Sequence, residues 1–328
     1  MNARSTIRLV VSVDTEEEGL WNVGFPVRNN TTTNLRGLAR FQALCERHGM
    51  PPTYLVTAPV LDDEQAVAEM SKWQQESRCE VGAHCHPWCN PPIVAEQVSS
   101  RESYLSNLPR ELQYEKLAWL TDAIADRMGV RPTSFRAGRY GFSFVTARCL
   151  IQLGYTVDSS HLPLFAYPED GGPDFRMHAR LPHRLVDSSK PGSLIEIPVT
   201  TGFTRPGYEL RRRIYQQTRQ PIPRKLRLAG IADRLGIARR VKLSPEGTQT
   251  DDLKQLISAG VRDGLQTLVL MLHSSSLVAG CSPYCASEAD FERFLSRLDS
   301  CLGFARTEFQ AEGVTLTQAA VEIDQMLD

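Results

Sequence analysis

The chain has 328 residues and a formal net charge of −1, enough length for one large α/β barrel or two ordinary domains and no overall field that would draw it to nucleic acid. Hydrophobic residues make up 41% and charged residues 23%, so the chain can bury a sizeable core and a disordered chain is excluded. The opening segment, MNARSTIRLVVSVDTEEE, is interrupted by Arg8 and runs into acids, unlike a signal peptide, and no stretch approaches the roughly 20 apolar residues of a membrane span; the expected location is the cytoplasm.

Ile7–Val13 reads as a short, β-branched, buried strand. Leu35–His48 has helical spacing and stops at Gly49. Thr53–Thr57 is a strand, Asp63–Ser77 a helix and Glu80–Ala83 a third strand that runs into His84. Arg110–Met128 is a long amphipathic helix ended by Gly129. Thr133–Arg136 (strand), Phe142–Leu153 (helix), Thr156–Asp158 (strand) and Leu194–Pro198 (strand) follow. Asp251–Val261 is a helix and Thr267–His273 an apolar strand. Ser287–Ala305 is a helix with Ser287 as N-cap and Asp290 in the capping-box position. Val314–Leu316 reads as a last strand, and Thr317 as the cap of a C-terminal helix through Leu327.

This alternation is the pattern of a parallel α/β fold. A barrel is favoured over an open sheet because Asp14, His84, Arg136, Asp158 and His273 each end a different strand. Parallel barrels gather their sites from strand tips on one face. No glycine-rich phosphate loop follows the first strand.

Four segments carry candidate chemistry. Asp14 and Glu16 are two apart on a strand and face one side, where two carboxylates repel unless a cation or proton lies between them. The bland alternative is a solvated acidic strand end, extended by Glu17 and Glu18. His84 and His86 share the same spacing and suit a divalent transition metal. In Phe135–Gly141, Arg136 can hold a carboxylate and the glycines permit close backbone approach. His273 ends a fully apolar strand, and Asp158 is a candidate to orient it. Trp88 and Arg139 are candidate substrate contacts. The eight cysteines are too sparse for a disulfide scaffold. Cys85/Cys89 and Cys281/Cys285 repeat a spacing that permits a four-thiolate zinc site, with ordinary buried thiols as the alternative.

In this order, from about residue 9 to 273, the segments resemble the polysaccharide deacetylase family, the NodB-homology or carbohydrate esterase 4 domain. The sequence departs from that pattern in four places: Thr15 stands where a second Asp is usual, the histidine gap is shortened, the usual Pro of the Arg motif is replaced, and no Trp follows Asp158. The resemblance implies a distorted (β/α)7-type barrel over 1–328 with a helical basic insertion at 205–250. It implies a divalent metal ion, zinc by expectation, on Glu16, His84 and His86. Asp14 is then the base, paired with Arg136, and His273 the general acid. A backbone N–H near Tyr140 would face the oxyanion. The implied reaction removes N-acetyl groups from a sugar or glycan precursor. Two rivals are a same-fold amidohydrolase on a non-sugar C–N bond and a catalytically silent carbohydrate-binding protein.

Between Arg205 and Lys242 lie twelve Lys/Arg and two acids, Glu209 and Asp233. Ile222, Leu226, Ala229, Ile231, Leu235 and Ala238 make a rough apolar stripe there. A basic amphipathic helix of this kind can lie on an anionic membrane surface; the alternative is a solvated insertion packed on the barrel.

Overall fold

The computed structural model describes residues 6–21, 24–168, 171–186, 192–220 and 228–327. Its strands are β1 (Arg8–Thr15), β2 (Pro52–Val56), β3 (Glu80–Cys85), β4 (Ser134–Ala137), β5 (Val157–Asp158), β6 (His183–Val186), β7 (Ser193–Glu196), β8 (Thr201–Phe203), β9 (Arg240–Lys242), β10 (Thr267–His273) and β11 (Glu312–Gly313). Its α-helices are α1 (Leu38–Arg47), α2 (Glu64–Gln75), α3 (Arg110–Met128), α4 (Phe144–Leu153), α5 (Tyr208–Thr218), α6 (Leu228–Arg234), α7 (Thr250–Arg262), α8 (Glu288–Phe309) and α9 (Leu316–Leu327).

Seven strands run parallel in the order β10-β1-β2-β3-β4-β5-β7. β6 lies antiparallel on the β7 edge, and β11 pairs with the start of β1. The gap between β7 and β10 is bridged by side-chain and loop bonds instead of a full strand. Val269 N–H donates to Thr200 Oγ1 at 2.8 Å. Leu243 links Thr200 to Met271 through bonds of 2.8 and 3.1 Å. The antiparallel β8/β9 pair thus stands where an eighth strand would close a regular barrel. This is the distorted (β/α)7-type barrel that the family resemblance implies.

Alternation along each strand sorts the interior. Val10, Leu55, Val157, Ile195 and Val269 form one buried apolar layer, which α9 covers through Leu316, Ala319, Ala320 and Ile323. The next inward positions toward the strand C-termini are polar: Ser12, Asp14, His84 and Arg136, all buried. The apolar layer therefore closes one end of the barrel and leaves the polar layer facing the other. Gly82 is required here. A Cβ at that point would sit 2.2 Å from Ser134 Oγ and 2.7 Å from Leu55 Cδ2.

Helix ends follow their caps. Gly129 ends α3 in the left-handed region, and Ser287 with Asp290 forms the expected capping box on α8. The C-terminus differs from the expected pattern. The last strand is β11, not Val314–Leu316, and Leu316 already belongs to α9. Thr315 meets Gln318 at the helix start, where its N–H donates to Gln318 Oε1 at 2.9 Å, while Thr317 Oγ1 donates to Glu80. Leu316 is drawn into the helix because its side chain fills the barrel end.

The basic segment also differs. Arg240–Lys242 is a strand, so one amphipathic helix does not extend to 242. Ile222 and Leu226 lie outside the described residues. Ala232 and Ala238 pack with Phe203 of β8 and with Tyr208 and Tyr215 of α5. No helix among the described residues is long and apolar enough to cross a membrane.

Candidate active site

The C-terminal tips of β1, β3, β4 and β10 converge under a cavity of about 370 Å³. β1 lies beside β10, with Asp14 and His273 as register partners. β3 lies beside β4, with His84 and Arg136 as register partners. Four segments distant along the chain thereby present their polar ends to one space.

Glu16, His84 and His86 offer three donor atoms within 4.8 Å of one another, all buried. Glu16 Oε2 lies 3.4 Å from His86 Nε2 and 3.7 Å from His84 Nε2. Each imidazole is oriented from behind. His84 Nδ1 donates to the Arg136 carbonyl at 2.8 Å, and His86 Nδ1 donates to Glu17 Oε1 at 2.7 Å. Both Nε2 atoms are left to point their lone pairs at Glu16. Glu16 Oε1 is buried without a hydrogen-bond partner. Such an orphan is costly unless a cation or other ligand meets it. Burial disfavours a charged His86, but Glu17, Glu16 and Asp14 outweigh it and raise its pKa. The same carboxylates would favour a metal cation. The donors present therefore fit a divalent ion.

Arg136 is fully buried, yet its guanidinium is satisfied. It donates to Asp14 Oδ1 at 2.6 Å, to the Ser159 carbonyl at 2.8 Å, to Ser12 Oγ at 2.9 Å and to Ser159 Oγ at 3.0 Å. Burial pushes the Asp14 carboxyl up, but Arg136, His84 and His273 together hold it well below the ordinary carboxylate range. Asp14 is thus ionised, with Oδ2 lying 3.9 Å from His84 Nε2 and 4.0 Å from His273 Nε2.

His273 is held by a residue that the sequence reading missed. Glu246 Oε2 accepts from His273 Nδ1 at 2.8 Å, and its Oε1 accepts from the His273 backbone N–H at 2.9 Å. Burial works against the imidazolium, but Glu246, Glu16 and Asp14 prevail and raise its pKa to about 9. Asp158 does not orient this histidine. Val157 occupies the inward position of β5, so Asp158 points outward, where it accepts from Ser160 and faces Glu196. Burial and the Asp158 charge push the Glu196 carboxyl well up.

Two further placements differ from the sequence reading. Trp88 is 1% exposed, stacks on His86 and donates to Glu17 at 3.2 Å, so it supports a candidate ligand instead of meeting substrate. Glu17 is no solvated extension of an acidic strand end. It is 1% exposed and accepts from His86, Trp88, Cys89 and Thr57. Glu18 accepts from Thr31, Thr33 and the Asn34 N–H, fixing the following loop. No cluster of four thiols is found among the described residues; Cys89 instead joins Glu17 and His86.

Arg139 and Tyr140 line the cavity, both with positive φ (53° and 59°). Gly138 permits this turn: a Cβ there would lie 2.4 Å from His86 Cδ2. Trp21, Phe25, Tyr104, Tyr167 and Tyr284 add aromatic walls. Trp21 meets both His273 and Tyr284 edge-on at 5.4 Å. The aromatics are scattered through loops and carry no spacing signal. Glu246 is equally hidden, being a lone acid in the loop Ser244–Pro245–Glu246.

The sequence matches no family model and no curated protein. Its fold does have solved relatives. A Mycobacterium smegmatis protein described as a polysaccharide deacetylase superposes with a TM-score of 0.54 at 15% identity, covering 99% of this chain and 93% of that one. The chain has a polysaccharide-deacetylase-like fold. The same architecture also matches the 4-α-glucanotransferase of Thermococcus litoralis, with a TM-score of 0.56 at 10% identity, over 97% of this chain and 40% of that longer one. Because one fold hosts both descriptions, the chemistry has to be argued from the site.

Proposed function

We propose that the chain is a metal-dependent hydrolase that removes an N-acetyl group from a sugar or glycan precursor. One observation carries this reading. The Glu16/His84/His86 donor set, the Asp14–Arg136 pair and the His273–Glu246 pair border the same cavity. Glycosyl transfer would instead call for two carboxyl groups flanking the scissile bond as acid and nucleophile. Here Asp14 is bound to Arg136, Glu16 belongs to the donor set, and the proton donor is an imidazole.

Glu16, His84 and His86 would hold the metal. Two imidazoles and one carboxylate match catalytic zinc sites, which keep a position open. A zinc ion there would supply Lewis acidity and a more acidic water. Asp14 takes the proton of the attacking water through Oδ2, because Oδ1 is fixed by Arg136. Arg136 holds that carboxylate ionised and in place. The backbone turn at Tyr140 is our candidate donor to the oxyanion. His273, kept protonated by Glu246, gives its Nε2 proton to the departing amine. Acetate and the free amine leave.

The aromatic walls support a sugar, whose C–H faces they would cover. The M. smegmatis relative's description supports the same substrate class. A non-sugar amide remains the rival substrate. The test is elemental analysis of the purified protein combined with acetate release from a panel of N-acetylated sugars and simple acetamides, with and without a chelator. Absence of metal, or turnover indifferent to the chelator, would remove the metal-dependent reading.

A second reading concerns location. Leu210, Ile231 and Leu235 are exposed in the arginine-rich segment 205–242. This favours peripheral contact with an anionic membrane surface. Co-sedimentation with phosphatidylserine vesicles tests it, and a bound fraction unaffected by salt or lipid charge would count against it.

A further inference from the structure

The charged groups around the cavity close into partnerships, with one exception. Asp14 is matched by Arg136, and Glu246 by His273. Glu16 belongs with His84 and His86. Arg139 donates to Ser100 and Ser103 and lies over the rings of Phe25 and Tyr104 at 4.8 and 4.2 Å. Lys242 lines the same cavity within the field of Glu246, whose carboxylate is already hydrogen-bonded to His273, and no ion pair or hydrogen bond is found for the lysine ammonium among the described residues.

Its mount is rigid. Lys242 pairs with Thr201 across the antiparallel β8/β9 pair, and its neighbours Val241 and Leu243 are buried in the core. Alternation therefore turns Lys242 to the cavity side. The bonds that tie Leu243 to Thr200 and Met271 fix the strand against the barrel. Tyr167 and Tyr284 line the cavity with it. A lysine on a fixed strand, with no ion pair or hydrogen bond of its own and beside aromatic walls, fits a ligand that brings a negative charge.

We propose that Lys242 anchors an oxyanion of the substrate, so that the site selects a phosphorylated N-acyl sugar over its neutral counterpart. This deepens the deacetylase reading and rests on it for the acyl group alone. The anchoring does not depend on turnover.

The experiment compares N-acetylglucosamine, N-acetylglucosamine 1-phosphate and N-acetylglucosamine 6-phosphate on the zinc-loaded full chain. Binding is read by calorimetry and KM by acetate release, for the native protein, Lys242→Met and Lys242→Arg. The native protein should bind one phosphorylated sugar at least tenfold more tightly than the neutral sugar. Lys242→Met should lose about tenfold for that sugar, the equivalent of one lost charged contact. Its affinity for the neutral sugar should be unchanged, and Lys242→Arg should retain most of the preference. Phosphate binding to the metal is common to all three proteins and cancels in the comparison. No preference in the native protein, or equal effects of Lys242→Met on all three sugars, would overturn the proposal. Selective binding without acetate release would leave the anchor standing and refute the deacetylase reading.

Discussion

Glu246 grips His273 twice, at the ring Nδ1 (2.8 Å) and at the backbone N–H (2.9 Å). A third bond from Ser276 Oγ at 2.7 Å fixes the carboxylate itself. The ring can therefore neither turn nor change tautomer without breaking a buried hydrogen bond. Its proton is held up to a pKa of about 9, chiefly by Glu246 against the pull of burial. As a general acid, His273 should support activity below that value and lose it as pH rises through it. Glu246→Gln removes the charge and keeps the shape, so the alkaline limb of kcat/KM should move down by about one to three pH units. An unmoved limb would show that His273 is not the titrating acid.

Asp14 and His273 face each other across the floor of the cavity. Asp14→Asn and His273→Ala should each lower kcat for acetate release by about 10² to 10⁴. Circular dichroism should remain native, since Asn keeps an acceptor for Arg136. Near-native turnover in both variants would refute the base and acid assignments.

Arg136 should matter more for folding than either. It is 0% exposed and makes a 2.6 Å pair with Asp14. Arg136→Met strands a buried carboxylate and should destabilise the fold by about 3–5 kcal/mol in urea denaturation. The native pair should also show in acid unfolding. The folded pKa of Asp14 is depressed, so its contribution is complete above the ordinary carboxylate range near pH 4 and is lost as pH falls below it. In Arg136→Met this acid-dependent loss should disappear.

Glu17 makes no contact with substrate in this reading, yet it orients His86. Glu17→Gln should weaken zinc binding by about tenfold to a hundredfold, measured by competition with a chromophoric chelator. Unchanged affinity would mean that the orientation of His86 is set elsewhere.

Gly82 separates packing from chemistry. Gly82→Ala forces a methyl against Ser134 Oγ and Leu55 Cδ2, and overpacking of this kind should cost about 1–3 kcal/mol. The lost stability should appear in thermal melts without any change in metal content.

Much of this arrangement was legible in the residue order. A strand fixes side-chain direction with period two, which set Asp14 and His84 on the inward face; Glu16 and His86 lie one residue past the strand ends at Thr15 and Cys85, and the tertiary structure brings them beside those two. The apolar run Thr267–His273 marked its own strand and terminus. The direction of Asp158 was not legible, because a strand of two residues has too little pattern to set its register, and the pairing with β4 and β7 turned that side chain outward. The burial of Glu17 was hidden for a related reason: beyond the last strand residue, Thr15, alternation no longer tells a solvated acid from a buried one.

By itself the sequence determined the alternating elements, the curled parallel sheet and the polar strand tips, all of which follow from local periodicity and hydrophobic burial. Only the tertiary structure decided which loop residues join those tips. Glu246, Lys242 and the aromatic walls lie on connections whose course is set by packing on the closed barrel, and no short-range pattern encodes that. The partner of His273 and the placement of Lys242 at the cavity were accordingly invisible until the chain was folded.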